Sequence, residues 1–436
     1  MAKKIFVRGP ALSVAGYGVH CRSIISALAN LGIKRENSTQ YDSPQIGLQI
    51  VRWGETDFMS DLDKNKNFSA EKNFLLSQAS NLNVWSQTKT QPDISIIVSV
   101  PSEFEKLAPC SILISAIIEC DRVLPLWLQK ANQANLVIVP SEFSKSIMMN
   151  THYQGSDGSM LSCNVPIEVI PESVDTSIFN DQPNDKDLDI DLPPFCFITV
   201  GQWGTIGMDR KNIEGIIRVF KEAFKDHPDK EKIGLVLKVN SISNSYMDET
   251  YTLNRIKSIT REYDEFPKII LIHGHMTDHE LSKLYKDSRI KTGIFLTHGE
   301  GWGISLADLA ACNKPIIASN WSAHTEFLNL GKWIKIPCEI KESGIENDLF
   351  AKGNRWAFPS HTEAVRHMKK IYSNYDIPKG WAIELGAKIR EKFNIKAIED
   401  KYFEVFDRYG YLKEAEAKNE IADSIFGGEN LEEIVK

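Results

Sequence analysis

Asn180-Asp181-Gln182-Pro183-Asn184-Asp185-Lys186-Asp187 decides how this chain is divided. The stretch is polar and acidic, it holds a proline, and Asp191-Leu192-Pro193-Pro194 follows it. That composition suits an exposed connection between domains. Before it, apolar runs rich in Val and Ile alternate with helical patterns. The runs are Ile5-Phe6-Val7, Ile94 to Val100, Ser111 to Ile118, Leu136 to Pro140 and Ile167 to Pro171, with a helix over Gly18 to Leu31. After it the alternation restarts, with strands over Phe195 to Gly201, Gly234 to Val239, Lys268 to His273, Thr292 to Thr297 and Pro315 to Ser319. The helices of this second series are Arg210 to Phe224, Asp248 to Tyr263, Thr277 to Asp287 and Ser305 to Ala311, and Thr277-x2-Glu280 has the capping-box pattern. Short continuous apolar runs separated by helices indicate strands buried on both faces of a parallel sheet. The expectation is an α/β chain of two Rossmann-like, doubly wound domains facing across a cleft, over 1–185 and 190–400. Residues 41 to 90 are irregular and polar and receive no assignment. The tail from Tyr411 to Lys436 reads as a solvated acidic helix.

Composition narrows the function. With 436 residues, 42% hydrophobic and 25% charged, the chain has material for two cores. No run approaches the roughly 18 apolar residues of a membrane span. The start, Met1-Ala2-Lys3-Lys4-Ile5-Phe6-Val7-Arg8, lacks a secretory pattern. The seven cysteines are scattered without a CxxC pair, which argues against a zinc ribbon or a disulfide framework and for reduced thiols in a cytoplasm. The sequons at Asn37 and Asn67 carry no weight in that setting. A net charge of −7 does not advertise nucleic-acid binding.

In such sheets ligands bind beyond the carboxyl ends of the strands, so chemistry belongs in strand-to-helix loops. Gly9-Pro10-Ala11-Leu12-Ser13-Val14-Ala15-Gly16-Tyr17-Gly18 follows the first strand and fits a dinucleotide fingerprint poorly. Gly201 to Asn212 follows the first strand of the second series and places Arg210 and Lys211 at a helix start, against the macrodipole, which suggests an anionic ligand. The third loop is Thr297-His298-Gly299-Glu300-Gly301-Trp302-Gly303-Ile304-Ser305-Leu306-Ala307-Asp308. Glu300 stands at the turn and Asp308 seven intervening residues on, two helical turns in. The spacing lets one carboxylate face each end of a ligand whose phosphates meet the amides of Ile304 to Leu306.

This third loop, with Lys314-Pro315-Ile316-Ile317-Ala318-Ser319-Asn320 and Glu326, resembles the E-x7-E region of retaining GT-B glycosyltransferases of the GT4 type. Val139-Pro140-Ser141-Glu142-Phe143-Ser144-Lys145 is similar to the family's PSefsk segment, and Val169-Ile170-Pro171-Glu172-Ser173-Val174-Asp175-x3-Phe179 to its vipnGvD segment. Arg210-Lys211-Asn212 falls where the family carries its phosphate-binding Lys, and His273-Gly274-His275-x5-Leu281-x2-Leu284-Tyr285 resembles fhGxvsdeeLxxLY. The likeness runs in order over roughly residues 4 to 330. It departs in three places. Asp308 replaces a Glu, Gln202 and Trp203 stand where the family has an Arg, and Ile118-Glu119-Cys120-Asp121-Arg122 stands where it often has a His.

The resemblance implies a nucleotide-sugar transferase that retains anomeric configuration and needs neither metal nor cofactor, with a UDP- or GDP-linked donor. It implies that Lys211 and Arg210 stabilise the leaving diphosphate, that Glu300 binds the donor sugar, and that Asp308 binds the ribose. Gly274 and His275 would line the base pocket. Gly16, Gly201, Gly301, Trp302, Gly303, Ile304, Ser305 and Leu306 would complete the donor site, and Glu119 or Asp121 would stand in for the missing His. The C-terminal helices, about 400 to 436, would return to the first domain. The opening Arg8-Gly9-Pro10-x-Leu12-Ser13-x2-Gly16-Tyr17-Gly18 looks like soluble transferases of tailed phages. That makes a hydroxymethylated pyrimidine (hydroxymethylcytosine) in phage DNA the first acceptor, in a host cytoplasm. A glycan or glycolipid acceptor is the alternative, and a non-catalytic sugar-nucleotide binding module is a third reading.

Overall fold

The structure, a computed structural model, describes residues 3–31, 44–53, 68–204, 207–261 and 267–411. The acidic tail beyond Tyr411, the sequons at Asn37 and Asn67 and the expected helix end at Tyr263 lie outside the described residues.

The first sheet has six parallel strands in the order β2-β1-β3-β4-β5-β8. They are β1 (Lys4–Gly9), β2 (Gln45–Ile50), β3 (Ile94–Val98), β4 (Cys110–Ile114), β5 (Leu136–Val139) and β8 (Ile167–Val169). A small antiparallel pair, β6 (Tyr153–Gln154) and β7 (Met160–Leu161), lies before β8. Around this sheet run α1 (Gly16–Asn30), α2 (Phe68–Gln87), α3 (Pro125–Ala131) and α4 (Glu142–Asn150). The second sheet repeats the plan in the order β11-β10-β9-β12-β13-β14. Its strands are β9 (Phe195–Gln202), β10 (Ile233–Asn240), β11 (Lys268–Ile272), β12 (Ile290–Phe295), β13 (Ile316–Ser319) and β14 (Ile334–Ile336). Its helices are α5 (Ile213–Phe224), α6 (Tyr246–Thr260), α7 (Asp278–Lys286), α8 (Ile304–Ala311), α9 (His324–Leu328), α10 (His361–Ser373) and α11 (Asp376–Lys392). Both faces of each sheet carry their own apolar core, which is why the strands read as unbroken apolar runs. The capping box at Thr277 and Glu280 forms at the start of α7.

Three features depart from the expected elements. β4 ends at Ile114, four residues before the apolar run does. Ile117 has φ +59° and turns Ala116 to Glu119 out of the sheet towards the second domain. The unassigned stretch contributes the edge strand β2 and the helix α2. Trp85 of α2 lies so close over Gly47 of β2 that a Cβ there would come within 2.6 Å of its ring. A hairpin of β15 (Cys338–Glu342) and β16 (Arg355–Pro359) also leaves the second domain, and its Phe350 and Trp356 are buried in the first domain's core with Ile117 and Val123.

The last described helix, α12 (Ile395–Arg408), packs on α1 of the first domain. Val174 N donates to Phe393 O at 2.7 Å where the chain crosses back. Tyr402 and Phe406 then enter the first core, and Tyr402 Oη lies 3.4 Å from His20 Nε2. Phe406 is fully buried. Phe406→Ala should therefore destabilise the protein by about 3–5 kcal/mol in chemical denaturation, because it leaves a cavity where α12 enters the first domain's core.

Candidate active site

Two loops of the second domain meet under the cleft. Asn212 adopts φ +54° just before α5 and its Nδ2 donates to Leu296 O at 2.9 Å. The carbonyl of Arg210 accepts from His298 N at 2.8 Å. These bonds pin Arg210 and Lys211 against the end of β12. The helix starts at Ile213, so both cations sit in the loop ahead of it rather than in its first turn. Gly201 has φ +151°, and the Lys211 stem runs past it, 3.2 Å from where a Cβ would stand.

Glu300 closes the arrangement. Its carboxylate accepts from Lys211 Nζ at 2.7 and 2.8 Å and lies 3.3 Å from Arg210. Arg210 also donates to Gly299 O at 2.6 Å and pairs with Glu119 of the first domain at 3.2 Å. Burial pushes the Glu300 carboxyl up, but Lys211 and Arg210 overcome this and hold it at about 2. Burial draws the Lys211 ammonium down, and Glu300 only partly restores it. The four groups form an alternating row, Glu119–Arg210–Glu300–Lys211, across the cleft.

Glycine makes this closeness possible. A Cβ on Gly299 would stand 2.3 Å from Glu119 O, and one on Gly301 would stand 2.9 Å from Ala116 O. Ser141 Oγ of the first domain donates to Gly301 O at 2.9 Å. Glu326 of the second domain caps α4 of the first, accepting from Phe143 N at 2.8 Å and Glu142 N at 3.1 Å. Gly16 faces the start of α8, where a Cβ would meet Ile304 at 3.4 Å.

No protein-family model and no curated protein sequence matches this chain. Solved structures do match in fold. HepE of Anabaena, in complex with UDP and glucose, is 12% identical with a TM-score of 0.57, over 93% of this chain and 100% of that one. Sucrose-phosphate synthase of Thermosynechococcus elongatus is 11% identical with a TM-score of 0.60, over 94% and 99%. A glycosyltransferase of Rickettsia africae is 14% identical with a TM-score of 0.58, over 93% and 98%. The fold is GT-B.

Within this GT-B frame the second acid differs from expectation. Gly303, at φ +103°, begins α8, so Asp308 lies about one turn into the helix rather than two. Leu306 and Ala307 both donate to Gly303 O, which leaves the amides of Ile304 and Ser305 as the donors at this helix end. The Leu306 and Trp302 side chains are core, and Trp302 packs 5.0 Å from Phe327 and 5.2 Å from Phe393. Burial raises the Asp308 carboxyl well above the usual range, and the neighbouring Asp278, Glu172 and Asp175 raise it further. Of the two acids offered for the missing His, Glu119 reaches the cation row. Asp121 instead holds the hairpin, accepting from Arg355 Nε at 2.7 Å and Arg355 N at 2.6 Å. The sequence reading missed this clasp, and it missed Ser322, whose Oγ accepts from Glu300 N at 2.9 Å. Gly274 and His275 lie at the end of β11, beside α7. Among the described residues, no group of three or more His, Cys, Asp or Glu is placed to hold a metal ion, all seven cysteines are free, and no helix is long and apolar enough to cross a membrane.

The acid cluster makes a prediction about pH. Because folding raises the Asp308 pKa, its favourable contribution is complete below the unfolded carboxyl value and is lost as pH rises through the folded one. Asp308→Asn cannot ionise. It should melt at a higher temperature than the wild type near neutral pH, and the gap should narrow as the pH is lowered towards about 4.

Proposed function

We propose that this protein is a nucleotide-sugar-dependent glycosyltransferase that retains anomeric configuration and works without a metal. The observation that carries this reading is the pair of loop cations, Arg210 and Lys211, beside the start of α8 at the carboxyl edge of the second sheet. An anion there meets two fixed cations and the free amides of Ile304 and Ser305, in a cleft that excludes much water. A departing diphosphate has the charge and shape to use them. The Anabaena neighbour was solved with UDP, which supports a UDP- or GDP-linked donor.

In this reading Glu300 is a stand-in for the substrate. The diphosphate displaces its carboxylate from Lys211, and the freed carboxylate then takes hydroxyls of the donor sugar. Asp308, whose carboxyl is raised by burial and by the neighbouring Asp278, Glu172 and Asp175, is the acid that meets the ribose hydroxyls. Glu119 stands on the first-domain side of the row, where the acceptor hydroxyl enters. The opening segment favours a hydroxymethylcytosine acceptor in DNA. With Arg210 and Lys211 taken up by the donor diphosphate and Arg355 holding Asp121, none of these three cations is left for a DNA backbone, which favours a neutral glycan hydroxyl. Duplex DNA demands cations for its phosphates. Incubation with nucleotide sugars and either hydroxymethylcytosine DNA or glycan acceptors, followed by mass analysis, decides between them.

Calorimetry with nucleoside diphosphates tests the donor site. Lys211→Ala should lose a charge-assisted contact worth about 1.5–3 kcal/mol, a roughly 10- to 150-fold weakening. Glu300→Gln should bind nucleoside diphosphate more tightly than the wild type while losing sugar transfer, because it removes the internal competitor. Unchanged affinity in Lys211→Ala would remove that residue from the phosphate site.

A further inference from the structure

Lys238 is the one charged residue in β10, whose other side chains from Ile233 to Val239 are apolar. It stands next to the carboxyl end of the strand, paired in register with Val200 of β9 on one side and Ile272 of β11 on the other. Its ammonium donates to the carbonyl of Gly274, just past β11. Among the described residues, this carbonyl is its only hydrogen-bond partner, and no carboxylate lies within ion-pair distance. Burial draws the ammonium down to about 8, with Glu280 opposing this from a distance. A half-buried ammonium with one acceptor leaves N–H donors unused at a desolvation cost. Gly274 has φ +86°, and a Cβ built there meets nothing within 4 Å, so the turn is open on the Cβ side of Gly274.

The position suits the far end of a ligand anchored at the cation row. Lys211 passes over Gly201, and Gly201 is the register partner of Val239, next to Lys238. Lys238 and Gly274 therefore lie one to two strand spacings, about 5–10 Å, further along the same carboxyl edge. In the other direction the edge is closed by the first domain at Gly299 and Gly301. A nucleoside diphosphate whose phosphates sit at Arg210 and Lys211 extends its base towards Gly274.

We infer that Lys238 Nζ and the Gly274 carbonyl together read the keto edge of the nucleobase. The ammonium donates to a ring carbonyl, and the Gly274 oxygen, which has a second lone pair, accepts from the adjacent ring N–H. Uracil and guanine present that order, a carbonyl beside a ring N–H. Cytosine and adenine present the reverse, an amino donor beside a bare ring nitrogen, and would set donor against donor and acceptor against acceptor. Lys238 is thus a specificity residue for the donor nucleotide. The inference rests on the nucleotide-sugar reading above.

Titration of the full chain with UDP, CDP, GDP and ADP tests it, since each pair matches in ring size and differs at this edge. UDP should bind about tenfold or more tightly than CDP, and GDP about tenfold or more tightly than ADP. Lys238→Met should erase both preferences, and Lys238→Arg should keep them. The wild-type comparison stands even if Lys238→Met does not fold. CDP equal to UDP, ADP equal to GDP, or an equal loss for all four ligands in Lys238→Met would overturn the inference while leaving a diphosphate site in place. Binding of none of the four would overturn the nucleotide-sugar reading and this inference with it.

Discussion

The carboxylate of Glu300, buried between Lys211 and Arg210, is the contact on which the rest of the cleft depends. A charge so placed is tolerable only when its partners are close and well aligned, and loss of one partner from such a pair is costly. The pairing joins the β9 loop to the β12 loop, and through Arg210 and Glu119 it joins both to the first domain. One electrostatic row therefore sets the position of Arg210 and Lys211, the turn ahead of α8 and the first-domain loop at once. A row that satisfies itself also defines what can replace it. Under the proposed reading, a substrate brings its own negative charge to the same cations, as a diphosphate would.

The surrounding structure holds the two domains tightly about that row. Gly299 and Gly301 let one backbone press on another, Glu326 caps a helix across the divide, and the hairpin buries Trp356 in the first domain while Arg355 grips Asp121. His298, next to the site, stacks on Trp356 with ring centroids 5.1 Å apart and planes 6° apart. The hairpin thus touches the back of the Glu300 loop as well as the opposite domain. Under the proposed reading, a nucleotide could enter this cleft only if these contacts part, and they mix polar and apolar character as contacts between domains commonly do.

Much of this was legible in the chain. The doubly buried strands were visible as apolar runs, and the loops rich in glycine and charge marked the carboxyl edges where ligands bind. Lys211 and Arg210 stand out because cations at a helix start oppose its field, and Glu300 because it sits in a glycine-rich turn that resembles the E-x7-E region. The features that escaped were set by distant partners. The Asp121–Arg355 clasp joins residues 234 positions apart, and nothing local at either end announces it. The strand β2 was hidden because Gly47 owes its place to Trp85 rather than to any β preference. Lys238 passed as one polar letter in an apolar strand, and only the carbonyl of Gly274 gives it meaning.

A crystal structure with a nucleoside diphosphate bound tests the central claim most directly. The account predicts a phosphate oxygen about 3 Å from Lys211 Nζ, with the Glu300 carboxylate turned away from that ammonium towards the sugar side of the cleft. A diphosphate bound elsewhere, with the Lys211–Glu300 pair intact, would contradict it.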